Sequence, residues 1–151
     1  VKSINYRRSR YRTSQRTPIV KLTNHSQPFP LSSMGDGILR ILQLVLKLHS
    51  ARGGILLIDE FDNGLHHSVQ AKVWELVFSL AQALKIQVFA TTHSLDCVKA
   101  FSRVSKNRED IEGILIQIGK SSRKSNFGDV IANVLDENQL ATFINSDFEV
   151  R

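Results

Sequence analysis

Ile55-Leu-Leu-Ile-Asp-Glu60, preceded by Gly53-Gly54, is the stretch on which the reading of this chain turns. Four apolar residues in a row, bounded by a glycine pair and two carboxylates, suit a parallel strand buried on both faces. Acids at the end of such a strand are costly to desolvate unless they are paired or face a metal ion. Asp59 and Glu60 are therefore either a strand surfacing into solvent or a functional pair. Downstream, a turn at Asn63-Gly64 precedes Val69, Val73, Leu76, Val77, Leu80 and Leu84. Their spacing of three and four predicts a helix over 66–84. Ile86–Ala90 reads as a second buried strand, running into Thr91-Thr-His-Ser94, and a short helix follows over Leu95–Phe101.

Upstream, Leu31-Ser-Ser-Met-Gly-Asp-Gly37 opens a helix to about His49, its apolar face carried by Ile38, Ile41, Leu42, Val45 and Leu48. Ile19–Leu22 suits a short strand, and Pro28 and Pro30 mark an extended loop. Ile111–Ile118 alternates as a strand near the sheet edge does, and Asp136 can cap a last helix through about Ile144. Strand, helix, strand, helix, strand predicts an α/β fold, a parallel sheet with crossover helices. Ligands of such sheets gather at the carboxyl ends of the strands. Asp59, Glu60 and His93 converge there.

The 151 residues are 42% hydrophobic and 23% charged, enough for one core. Arg40, Gln43 and Lys47 interrupt the longest apolar stretch, so no transmembrane helix and no membrane association are expected. The arginine-rich start has no apolar region behind it, which argues against a signal peptide and for a cytoplasmic protein. Cys97 is the single cysteine and reads as a small core residue. His66 and His67 are adjacent, so they diverge on a helix and make no metal site. The net charge of +6 is localised, because residues 1–35 carry seven basic side chains and no acidic one. Residues 1–30 are accordingly read as a separate basic arm or the end of a lid insertion. The run Tyr6-Arg-Arg-Ser-Arg-Tyr-Arg12 suits the phosphates and bases of DNA or RNA, or equally a solvated arm.

Four motifs stand in fixed order: Leu31-Ser-Ser-Met-Gly-Asp36, Ile55–Glu60, Asn63-Gly-Leu-His66 and Thr91-Thr-His93-Ser94. They resemble the signature motif, Walker B motif, D-loop and switch histidine of the ABC-type P-loop ATPases. The stretch Asp59-Glu-Phe-Asp-Asn-Gly-Leu-His66 is most similar to the soluble branch related to RecF, SMC and the overcoming-lysogenisation-defect ATPases. The resemblance covers about residues 30–151 and includes the tail from Asp136 to Arg151. It implies that residues 31–151 are the C-terminal lobe of such an ATPase, using ATP and Mg²⁺ as a nucleotide-sandwiched homodimer. Asp59 would then position Mg²⁺, Glu60 would act on the attacking water, and His93 would sense the γ-phosphate. Ser33, Gly35 and Asp36 would reach the ATP held by a second subunit, and Asn63 and His66 would line the same interface.

One departure accompanies these matches. The Gly-x-x-x-x-Gly-Lys-Ser/Thr loop that cradles phosphates does not occur in the sequence. With Val1 in place of an initiating methionine, the chain is expected to be the C-terminal half of a longer ATPase and inactive alone. A nucleic-acid-associated protein with a degenerate ATPase, or an inactive fragment, are the alternatives.

Overall fold

The computed structural model describes residues 3–8, 16–23, 27–108, 110–121, 123, 125, 127–136, 139, 140 and 142. Strands β1 (Ser3–Arg8), β2 (Arg16–Lys21) and β3 (Phe29–Pro30) form an antiparallel sheet in that order. A single 3₁₀ turn at Leu31–Met34 leads into helix α1 (Asp36–Ser50). Strand β4 (Ile55–Ile58), helix α2 (His67–Leu84) and strand β5 (Gln87–Ala90) follow, then helix α3 (Leu95–Lys106). Strands β6 (Leu115–Lys120) and β7 (Val130–Leu135) end the described elements.

The β4–α2–β5 unit forms as the apolar pattern predicts. Its strands are parallel, with Ile55 opposite Gln87, Leu56 opposite Val88, Leu57 opposite Phe89 and Ile58 opposite Ala90. Two backbone links set this register from the amino end: the Gly53 N–H donates to the Leu84 carbonyl, and the Gln87 N–H to the Gly54 carbonyl. Lys85 turns the chain from α2 into β5 in the left-handed region, at φ 55°, a helix-ending position that glycine usually fills.

One face of the strand pair carries the core. Leu44 and Leu48 of α1, Ile58, Phe61, Val73, Trp74, Val77 and Phe78 of α2, and Cys97, Ala100 and Val104 of α3 are buried together. Phe61, the second residue beyond the Asp59-Glu60 pair's first carboxylate, stacks on Trp74 with ring centroids 3.7 Å apart and an interplanar angle of 11°. Trp74 in turn meets Phe101 edge-on at 5.1 Å. Arg108, just after α3, donates to Ser79 Oγ and Gln82 Oε1 and so fastens the end of α3 to α2.

The structure corrects the sequence reading in several places. β4 and β5 are covered on one face only, since Ile55, Leu57 and Phe89 are 62%, 72% and 47% exposed. A continuous apolar run fits burial on either one or both faces, and among the described residues only one layer is present. The third strand does not join the parallel pair. β6 pairs antiparallel with β7, a stretch to which the sequence reading assigned no element, and Ile116, Ile118, Val130 and Val134 of this hairpin are exposed. α3 runs five residues past the expected Phe101. Residues 1–30, read as a basic arm or the end of a lid insertion, contain β1 and β2, whose register places Arg8 opposite Arg16, and this does not decide between the two readings. Arg10 and Arg12 lie outside the described residues. Asp136 does cap a helical turn, accepting from the Gln139 N–H at 2.8 Å, while Gln139 Oε1 accepts from the Asp136 N–H. The rest of that helix, to Ile144 and the tail, is outside the described residues.

The stacking of Phe61 on Trp74 binds the turn after β4 to the core. Phe61→Ala should cost about 3–5 kcal/mol of stability, the range for a buried phenylalanine. Urea unfolding of the two proteins checks this, and a loss below about 1 kcal/mol would show that the turn is not anchored there.

Candidate functional site at the carboxyl end of the parallel strands

Residues facing each other on paired parallel strands share a face. Carrying the β4–β5 register one step past Ile58 and Ala90 places Asp59 opposite Thr91. The Thr91 N–H donates to the Ile58 carbonyl at 2.9 Å, as a continued ladder requires. At the next residue the ladder slips. The carbonyl of Thr91 accepts from the N–H of Phe61, and not from that of Glu60. Glu60 is thus an extra residue in its strand, a bulge, and it adopts φ 47°. A non-glycine residue rarely takes that conformation, and it persists where surrounding contacts over-determine it.

Those contacts are identifiable. The Glu60 N–H, displaced from the ladder, donates to Thr91 Oγ1 at 3.0 Å. The same hydroxyl donates to Asp59 Oδ1 at 2.5 Å. Arg40 of α1 donates through Nη2 to the carbonyls of Asp59 and Glu60, at 3.3 and 3.2 Å. Phe61 is then turned inward onto Trp74, while both carboxylates stay exposed. A second link runs parallel to the first: Thr92 Oγ1 donates to Asp62 Oδ1 and accepts from the Ser94 N–H. Ser94 caps α3, accepting from the Cys97 N–H at 3.3 Å.

The structure brings together some of the sequence-predicted residues. Asp59, Glu60 and Asn63 form one cluster, with Asn63 Nδ2 donating to Glu60 Oε2 at 3.3 Å. His93 is exposed in the segment between Thr92 and Ser94, adjacent to this cluster in sequence and strand order. Ser33 donates to the carbonyl of Pro30, and Gly35, at φ 92°, joins the 3₁₀ turn to α1 in a conformation that favours glycine. Asp36 opens α1, and Ser33, Gly35 and Asp36 are all exposed. Gly37 fits against the turn after β4: a Cβ there would lie 3.3 Å from the Gly64 carbonyl oxygen. The Ser33–Asp36 segment and the Asn63-Gly64 turn are therefore neighbours. His66 has a structural task, because its Nδ1 accepts from the Ser68 N–H and caps α2.

Arg40, Asp62, Thr91 and Thr92 were not singled out by the sequence. The signal that would have found the threonines is the strand register, which pairs position 91 with position 59. Cys97 is buried, and burial pushes its thiol up from the ordinary value. A thiol held protonated in this way is a core group and not a nucleophile.

Among the described residues, no group of three or more His, Cys, Asp or Glu side chains forms a metal cage. Mg²⁺ that arrives with a nucleotide needs fewer, since one or two carboxylates suffice when phosphates and water complete the octahedron. Asp59 and Glu60 offer that number. No helix among the described residues is long and apolar enough to cross a membrane.

The chain is 28% identical over 93 residues to an "ATP/GTP phosphatase" of Helicobacter pylori, a match covering 60% of this chain and 25% of that protein. The chain thus spans about a quarter of that relative's length. No solved structure matches it. A family model does, from residue 6 to residue 96, across α1, β4, α2, β5 and the Thr91–Ser94 segment. By that match, the chain belongs to the AAA domain family described with the AbiEii toxin and type IV toxin–antitoxin systems.

Proposed function

We propose that this chain forms the hydrolytic face of an ATPase that converts ATP and water to ADP and phosphate. The observation that carries the reading is the pair of exposed carboxylates, Asp59 and Glu60, fixed at the carboxyl end of β4 and bonded to the segment that leads to His93. Support comes from the AAA domain match and from the name of the Helicobacter pylori relative.

Glu60 is the general base: its carboxylate takes the proton of the water that attacks the γ-phosphate. Asn63, bonded to Glu60 Oε2, holds one carboxylate oxygen and leaves the other for that water. Asp59, its carboxylate oriented by Thr91, would hold a hydrated Mg²⁺. When bound, the ion would supply positive charge that offsets the charge of the phosphates. His93, exposed beside the pair, contacts the γ-phosphate.

The exposed Ser33–Asp36 segment leads into the N-terminus of α1, a setting that favours an anionic phosphate. It belongs to the nucleotide of a second subunit, in the homodimer that an ABC-type arrangement requires. The phosphate cradle absent from these 151 residues is supplied by the rest of the ATPase. Its sheet covers Ile55, Leu57 and Phe89, and the open groove at the amino end of β4 lined by Leu46, Lys47, Ser50 and Ala51.

Two outcomes follow. In the full-length protein, Glu60→Gln should slow ATP turnover by roughly 10²-fold or more while ATP binding survives. Turnover assays and equilibrium binding check both halves, and a fully active Gln variant would remove Glu60 as the base. Calorimetric titration of the 151-residue chain by itself with Mg-ATP should give only feeble binding, weaker than about 1 mM. Micromolar affinity would show that the chain grips phosphates without a separate cradle.

A further inference from the structure

We infer that Thr91 is a positioning residue for the hydrolytic site, its single hydroxyl fixing both carboxylate residues in the geometry that receives Mg²⁺ and water. The inference rests on the ATP-hydrolysis reading above. Its own ground is the bulge at Glu60.

Inserting Glu60 into the strand leaves its N–H without a ladder partner, and Thr91 Oγ1 accepts it at 3.0 Å. A hydroxyl has one proton to give, and Thr91 gives it to Asp59 Oδ1 at 2.5 Å. Both bonds have consequences for chemistry. The first stabilises the left-handed conformation that points Glu60 away from the ladder. The second fixes the rotation of the Asp59 carboxylate, and with it the direction from which a hydrated cation would be received. Groups that orient a metal-binding carboxylate commonly tune metal affinity by an order of magnitude or more.

The hydroxyl is held as firmly as it holds. The Thr91 N–H donates to the Ile58 carbonyl, and the Thr91 carbonyl accepts from the Phe61 N–H, each at 2.9 Å. Its backbone is therefore pinned on both sides of the bulge. β-branching adds a restricted χ1, which limits the directions Oγ1 can take. Serine would supply the hydroxyl without that restriction, and valine would supply the shape without the hydroxyl.

The experiment measures ATP turnover of the full-length protein against Mg²⁺ concentration for wild type, Thr91→Val, Thr91→Ala and Thr91→Ser. Melting temperatures are recorded alongside. The alanine variant, which removes the hydroxyl without adding bulk against the carboxylate, keeps the comparison intact should the valine variant not fold. Loss of the hydroxyl should raise the Mg²⁺ needed for half-maximal turnover roughly tenfold. It should also lower kcat roughly tenfold or more, as expected when a charged hydrogen bond is lost. Thr91→Ser should stay within about threefold of wild type on both measures. A merely structural threonine would lower the melting temperature and leave the Mg²⁺ midpoint unmoved, and that result would overturn the inference. An inactive wild type would instead overturn the ATP-hydrolysis reading, and the two failures are told apart by the wild-type assay.

Discussion

A peptide unit out of register at Glu60 is the constraint around which the carboxyl end of β4 and β5 is arranged. Beyond the paired residues of β4 and β5, the Thr91 N–H still reaches the Ile58 carbonyl, and the bonding then skips Glu60 for a last bond from the Phe61 N–H to Thr91. That skip does three things together. It holds two consecutive carboxylates at the sheet edge, and it frees an N–H that Thr91 captures. It also returns the chain to the interior, where Phe61 stacks on Trp74. Buried aromatic contact at Phe61 offsets the strain of a left-handed glutamate, and the hydrogen bonds of Thr91 and Arg40 confine the remaining freedom.

Arg40 extends this arrangement to the next element. It is carried on α1, whose first residues follow the Ser33–Gly35 turn, and it reaches the carbonyls of both carboxylate residues. Gly37 and the Gly64 carbonyl meet closely enough that a side chain at 37 would require the neighbouring turn to yield. The two loops that carry candidate phosphate contacts are therefore braced against one rigid turn. In the proposed dimer, a nucleotide touching Ser33 and Gly35 would press on the helix that holds Glu60 of the same subunit.

Local pattern in the sequence was sufficient for β4, α2 and β5, because a four-residue apolar run and an 18-residue helix carry strong periodicity. It was insufficient for β7, whose residues Val130–Leu135 are mostly exposed and gain their strand conformation from pairing with β6. It misjudged the faces of β4 for a related reason. Ile55 and Leu57 have the composition of a core but lack the second layer that would cover them among the described residues. At the site, Asp59, Glu60 and Asn63 were legible as charged or polar residues placed where an apolar strand ends. Thr91 and Thr92 were not, since a threonine next to a strand end is ordinary until the register shows which carboxylate it faces. His66 carries a further role: the resemblance implied a place at a dimer interface, and the structure adds a cap on α2.

The central claim is that Asp59, Glu60 and His93 face the γ-phosphate and its Mg²⁺ in the complete protein. Determining the structure of the full-length protein with Mg²⁺ and a non-hydrolysable ATP analogue tests this directly. The account predicts the γ-phosphate over the carboxyl ends of β4 and β5, the ion beside Asp59, and Ser33 and Gly35 of a second subunit closing over the nucleotide. A nucleotide bound elsewhere, with Asp59 and Glu60 left in open solvent, would contradict it.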